Sequence, residues 1–247
     1  DEAKSNFLTI ASHELKTPLT SMKEAASLLL EGLAGALTDK QRRLVEIMAQ
    51  GIRRLLNTVS ELLDMSRIEG GLVVLNREAH DMNAVVSSFI SEIKPVADAG
   101  NIGIAVKYAP ESCMVMVDRN KILQVLTNLT HNAIKYSPEG AMVEIRVRNT
   151  DGNIITEVED HGKGIPEEDL PRIFEKFYQA RYTRGHGGIG LGLAISRGIV
   201  DAHGGKMYAH SQVGQGSVFA FHLPCAHGHG ALPGVCEGPA LDEDQRR

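Results

Sequence analysis

A chain of 247 residues with 43% apolar and 23% charged residues has the composition of an ordinary globular protein, with room for one large or two modest folded units. A net charge of −5 gives no electrostatic reason to expect nucleic acid or an anionic membrane surface as a partner. Three widely separated cysteines, Cys113, Cys225 and Cys236, argue against a disulfide framework and fit a reducing compartment, and no segment reads as a signal peptide or as a span of roughly 20 apolar residues.

Residues 1–69 carry no strand signal. Leu8, Ala11, Leu15, Leu19, Met22, Ala26 and Leu29 recur at spacings of three and four, which predicts a first amphipathic helix. The glycines of "EGLAGAL" (31–37) interrupt it. Thr38 and Gln41 have capping-box spacing and open a second helix, whose stripe runs Leu44, Met48, Ile52, Leu55, Val59, Leu62 and Met65 before Gly70-Gly71 ends it. Two long helices joined by a short loop form an antiparallel hairpin. One hairpin has little to bury its stripes against, so the pattern predicts a homodimer closing a four-helix bundle; packing on the chain's own C-terminal part is the alternative. With no initiator methionine and a start inside a helical pattern, the chain is expected to be a fragment lacking an upstream part.

The first helix carries "HELKTP" (13–18), one residue short of a zinc-protease site, because Thr17 stands where a second histidine would be needed. On a helical wheel His13 falls roughly 165° from the stripe centre, on the water side. Glu14 can accept from one ring nitrogen and raise the nucleophilicity of the other. Thr17 shares the face at i+4, and Pro18 withdraws the donor for the Glu14 carbonyl, which predicts a bend. On residues alone, a nucleophile and an ordinary surface histidine both remain open.

From Leu72 the texture changes. "LVVL" (72–75), "IGIAVK" (102–107), "MVMVD" (114–118), "MVEIRVR" (142–148) and "NIITEVED" (153–160) read as strands, with an Asp151-Gly152 hairpin turn between the last two. Helices are predicted over 82–98, 119–136 and 190–203. The class is an α/β sandwich, a mixed sheet with helices on one face. Residues 225–247, rich in Gly and Pro without periodicity, read as a disordered tail, whose Cys225, His227, His229 and Cys236 match no compact zinc spacing.

Three stretches of this second part carry ligand chemistry. In "NLTHNAIKY" (128–136), Asn128, Asn132 and Lys135 share one polar helix stripe; neutral side-chain oxygens suit a Mg²⁺ held mainly by phosphates, Lys135 suits a phosphate, and Tyr136 suits a base. "DHGKGIP" (160–166) places Asp160 at a strand end beside Gly162 and Gly164, where backbone can approach a ligand closely. "RGHGGIGLGLAIS" (184–196) runs a glycine loop into a helix N-terminus, an anion site. No buried strand precedes its Gly185-x-Gly187-x-x-Gly190, so it does not fit a dinucleotide fold. There is no G-x-x-x-x-G-K-[ST], and none of the motifs of Ser/Thr/Tyr kinases.

Taken in order, these stretches resemble the kinase core of two-component sensor histidine kinases: "FLTIASHELKTPLTSM" the H box, "NLTHNAIKY" the N box, "DHGKGIP" the G1 box, "IFEKFYQ" (173–179) the F box and "GGIGLGLAIS" the G2 box. The resemblance covers roughly residues 4–224. It implies a dimerisation and phosphotransfer domain over 1–69, a hinge at 70–71, and a Bergerat-type ATP-binding domain over 72–224. It further implies that His13 is the phosphoacceptor, Glu14 its acid/base and Thr17 the residue that positions water for dephosphorylating a regulator. Asn132 is similar to the Mg²⁺ ligand with Asn128 beside it, Lys135 to a phosphate contact, Tyr136 to an adenine contact and Asp160 to the acceptor of the adenine amino group. Gly162 and Gly164 line the base, and Gly188, Gly190, Leu191 and Gly192 belong to the phosphate loop. Phe174 and Phe177 anchor a lid over about 178–189. Ile189 and Gln179 depart from the residues common at their positions.

The implied reaction is ATP·Mg²⁺-dependent autophosphorylation of His13, then transfer to an aspartate of a response-regulator receiver domain, with phosphatase activity on that regulator. The expected setting is cytoplasmic, with an upstream sensor region missing and membrane anchoring of the parent protein left open. An ATP-gated conformational ATPase and a catalytically silent dimeric scaffold are the alternatives.

Overall fold

The structure is a computed structural model; it describes residues 2–150, 152–179 and 189–226, and for residues 2–13 the backbone alone. Helix α1 (Glu2–Leu30) and helix α2 (Asp39–Glu69) form the expected hairpin, and α1 continues through Pro18. The Thr38 hydroxyl accepts from the Gln41 N–H at 3.4 Å and the Gln41 side chain accepts from the Thr38 N–H at 2.9 Å, so the capping box that opens α2 is reciprocal. The hairpin core is small: Ala26, Val45 and Ala49 are buried, with Leu29, Leu30 and Leu37 against them.

The rest of the stripe divides along α2. Leu15, Met22, Leu44, Met48 and Leu55 stay more than half exposed in the single chain. Toward the C-terminus of α2, Met65 is buried in the core of the second unit, and Leu62 and Ile68 pack against it. The expected packing on the chain's own C-terminal part therefore holds for one end of the helix, and the other end is left uncovered in the single chain.

The second unit comprises β1 (Glu78–Asp81), α3 (Met82–Ala99), β2 (Gly103–Lys107), β3 (Met114–Val117), α4 (Arg119–Tyr136), β4 (Met142–Thr150), β5 (Asn153–Asp160), α5 (Gly192–Ala202), β6 (Lys206–Gln212) and β7 (Gly216–Pro224). The main sheet is ordered β2-β4-β5-β7-β6; β2 and β4 are parallel and the other pairs antiparallel. A ribbon of β1 and β3 joins the end of β7 through a bridge from Val115 to Cys225. Alternation along β4 explains the layering. Val143, Ile145 and Val147 are buried under the helices, while Glu144, Arg146 and Arg148 form ion pairs on the other face with Lys107, Glu157 and Glu159.

Four elements correct the sequence reading. Leu72–Leu75 is not a strand: no strand neighbours it, and Val74 is 90% exposed. Residues 206–212 and 216–224, for which no strand was predicted, pair with each other over 206–212 and 216–222, and the second also pairs with β5. Short β1 also escaped, because its "EAHD" is polar and its partner β3 defines it.

A buried histidine locks α5 to α4. His203 Nδ1 lies 2.7 Å from the Ile199 carbonyl and Nε2 lies 3.0 Å from the Asp118 N–H. One nitrogen must donate and the other accept, so the ring is neutral with its proton on Nδ1. Burial holds its pKa below the ordinary histidine value. The unfolded chain therefore takes up this proton first. The stability contributed is complete above about pH 6.5 and falls as pH drops below it. Urea midpoints measured from about pH 7.5 down to 6 should decline, and His203→Gln should flatten that slope.

Candidate active site

One cavity of about 250 Å³ opens where α4, the end of β5 and the start of α5 converge. Helix α4 starts on Asp118, whose side chain accepts from the Lys121 N–H at 3.2 Å. Its apolar face (Ile122, Leu126, Leu129, Ala133) is buried, which turns the opposite stripe of Asn128, Asn132 and Lys135 onto the cavity wall. Asn128 Nδ2 donates to Ser196 Oγ at 2.8 Å, tying α4 to α5. Lys135 Nζ lies 4.8 Å from the centre of the Tyr136 ring, so a cation and an aromatic face share one end of the wall.

Asp160 ends β5 and is almost fully buried, yet lines the cavity. Its Oδ1 accepts the Gly162 N–H at 2.8 Å, and Ser217 on β7 bonds to the same carboxylate. Burial raises its pKa, and these hydrogen bonds oppose the rise. A buried acceptor at the floor of a cavity is suited to a donor on a bound ligand.

Two glycines let the walls close. Gly164 has φ +70°, and a Cβ there would sit 2.1 Å from the Gln212 carbonyl oxygen; Gly190 has φ +77°, and a Cβ would sit 2.6 Å from the Tyr178 carbonyl oxygen. The Phe177 N–H donates to the Gly190 carbonyl at 3.0 Å, pinning together the two ends of the segment between them. Leu191 and Gly192, at the start of α5, complete this side.

Of the candidates, Asn128, Asn132, Lys135, Tyr136, Asp160, Gly164, Gly190, Leu191 and Gly192 line this one cavity. Gly162 lies behind it, bonded to Asp160. Phe174 packs against the core under the Arg197 guanidinium, 5.8 Å from its ring, and Phe177 is exposed; neither lines the cavity. Gly188, most of the expected lid (180–188) and the tail beyond Ala226 lie outside the described residues. Among the described residues no group of three or more His, Cys, Asp or Glu side chains could hold a metal.

The structure adds residues that the motifs did not single out. Lys163 brings a second cation, Ser217 holds Asp160, and Ile165 and Phe219 are apolar lining; both departures, Gln179 and Ile189, face the cavity as well. The charge of Lys163, next to Gly164, could have flagged it. Glu61 lines the cavity too, although it belongs to α2.

Glu14 and Thr17 are exposed on α1; the His13 side chain lies outside the described residues. The bond from Arg42 Nη1 to the Leu30 carbonyl, with the packing of Ala26 on Val45, sets the hairpin register. Continued at about 1.5 Å per residue in both helices, it brings the His13 backbone level with Thr58 and Val59, about one turn from Glu61.

Residues 3–71 match the His Kinase A (phospho-acceptor) domain, and residues 117–227 match the histidine kinase-, DNA gyrase B- and HSP90-like ATPase. The sensor-like histidine kinase SenX3 of Mycolicibacterium smegmatis is 36% identical over 226 residues, 91% of this chain and 58% of its own length. Full-length ShkA, solved in complex with AMPPNP, superposes with a TM-score of 0.77 at 28% identity, over 89% of this chain and 46% of that one. The catalytic domain of the histidine kinase ThkA is 30% identical with a TM-score of 0.55, over 61% of this chain and 96% of that one. The chain thus spans less than two thirds of SenX3 or ShkA. Among the described residues no helix is long and apolar enough to cross a membrane.

Proposed function

Because the chain belongs to the sensor histidine kinases, we propose that it phosphorylates His13 from ATP and passes the phosphoryl group to an aspartate of a response-regulator receiver domain. The observation that carries this reading is the single cavity uniting a buried carboxylate, two lysines and a glycine-rich helix start. Asp160 recognises the adenine amino group, Tyr136 packs on the base, and Lys135, Lys163 and the amides at Gly190–Gly192 receive the phosphates. Asn132 offers a neutral oxygen, which fits a Mg²⁺ held mostly by phosphate; the ion supplies charge neutralisation when bound.

In the reaction a neutral ring nitrogen of His13 attacks the γ-phosphorus. A P–N bond forms, the bond to the β-phosphate oxygen breaks, and ADP leaves. Glu14 orients the imidazole and takes the proton that the phosphorylated ring sheds. The positively charged wall disperses phosphate charge while the γ-group is in flight. Thr17, one turn beyond His13, orients the water that attacks the phosphorus of the regulator's aspartyl phosphate, breaking its bond to the carboxylate oxygen and releasing inorganic phosphate.

We assign residues 1–69 to dimerisation and phosphotransfer, 70–71 to the hinge and 72–224 to ATP binding. The exposed Leu15, Met22, Leu44, Met48 and Leu55 support a homodimer, since covering each would gain about 1 kcal/mol.

The test is incubation with γ-labelled ATP. The chain should acquire acid-labile, base-stable phosphate, and Asn132→Ala should remain unlabelled. Acid-stable label, or ADP release with no protein-bound phosphate, would overturn the reading.

A further inference from the structure

Among the described residues, Glu61 is the one carboxylate of the hairpin that lines the cavity, alongside Asn132, Lys135 and Lys163. It is held there by contacts of the turns that follow it. One turn on, Asp64 binds Lys121 Nζ at 3.2 Å and Gln124 Nε2 at 2.7 Å on α4. Ile68 fills the space over Gly198 on α5, where a Cβ would lie 2.5 Å from its Cγ2. Glu69 pairs with Lys176. Lys121, Gln124, Asn128 and Asn132 form one row on α4. A step of one turn back from Asp64 along α2 matches a step forward along that row, so Glu61 arrives where the row enters the cavity.

Among the described residues Asp64 has an ion-pair partner and Glu61 has none. Burial, with Asp64 as a like-charged neighbour, raises the Glu61 pKa. A carboxylate in this position helps neither the hairpin nor the cavity when alone. Its electrostatic consequence appears when an anion enters.

We propose that Glu61 is an interdomain charge sensor: while α2 is docked on the catalytic unit, its carboxylate disfavours a triphosphate in the cavity, so that ATP loading and docking oppose one another. The proposal rests on the ATP reading of the cavity. Repulsion at a half-buried site is weakly screened and grows with the number of phosphates, so ATP is affected more than ADP and adenosine not at all. Coupling is reciprocal: ATP loosens α2 from the catalytic unit by the factor by which docking weakens ATP. The loosened unit is the one free to carry a γ-phosphate to His13, and departure of the charge restores docking.

Calorimetric titration of adenosine, ADP and ATP into the full chain and into Glu61→Gln tests this. The substitution preserves size and removes charge. It should tighten ATP about fivefold, ADP about twofold, and leave adenosine unchanged. Amide exchange over 59–69 should accelerate when ATP binds the parent chain and respond less in the variant. Equal tightening of all three ligands would mean a reshaped cavity and would overturn the proposal. Unchanged ATP affinity would overturn it too, as would weaker ATP binding, the mark of a metal ligand. If the parent chain binds none of the three, the nucleotide reading itself has failed and takes the proposal with it.

Discussion

Replacing His13 by alanine should abolish histidine phosphorylation, with labelling below about 1% of the parent, while ATP affinity stays within about twofold. His13 is the only histidine in the first 79 residues, so no other imidazole on the hairpin can substitute for it. Loss of the nucleophile removes the acceptor bond outright and leaves no weakened version of it. Binding should survive because, among the described residues, the cavity is lined by α4, the β5 end, the loops and α5, with Glu61 as its contact on α2 and none on α1. Residual base-stable label at another site would show that His13 is not the acceptor. Mixing His13→Ala with Asn132→Ala protomers adds a second readout: label returns only if one subunit phosphorylates its partner.

Asp160→Ala should weaken ATP by one to two decades, about 10- to 100-fold. A hydrogen bond to a buried charged acceptor is worth about 1.5–3 kcal/mol. The same substitution leaves the Gly162 N–H without its 2.8 Å acceptor and Ser217 without its partner, at a cost of about 1 kcal/mol or more. The first loss is felt only in the complex and is about one to two decades in affinity; the second falls on free and bound protein alike and lowers stability. Selectivity supplies a check that plain destabilisation would not reproduce. Guanine carries a carbonyl where adenine carries its amino group, so the carboxylate should reject GTP, and Asp160→Ala should narrow the preference for ATP. A variant that keeps full preference at reduced affinity would place the acceptor elsewhere.

Much of the second unit was readable because its signals are local. The α4 boundaries follow from an Asp118 cap, an unbroken apolar stripe and the Ser137-Pro138 stop. The β4–β5 hairpin follows from two alternating runs around Asp151-Gly152. Asp160 and Gly164 stand out because a strand end followed by glycines suits a ligand loop. The misses have a common cause. "LVVL" looks like a strand by composition, but a strand exists only if another pairs with it. β6 carries Lys206, Tyr208, His210 and Gln212 on alternate positions, a weak pattern until β7 fixes its register. His203 reads as any helix-end histidine; only the approach of Asp118 from 85 residues away makes it a buried lock.

By itself the sequence determined a helical hairpin, a mixed α/β unit, and an order of motifs that names a family. Each of these is written in periodicity, caps and glycines within a few residues of one another. The tertiary structure decided which of the motif residues share one cavity, and that Phe174 and Phe177 are not among them. It also decided that the α2 stripe is divided between a surface left open and a surface docked on the catalytic unit, which brings Glu61 to the cavity. Apolar periodicity states that a helix face will be covered but carries no address for what covers it. That choice is made by side chains far apart in the chain, such as Asp64 with Lys121 and Ile68 with Gly198, when they meet.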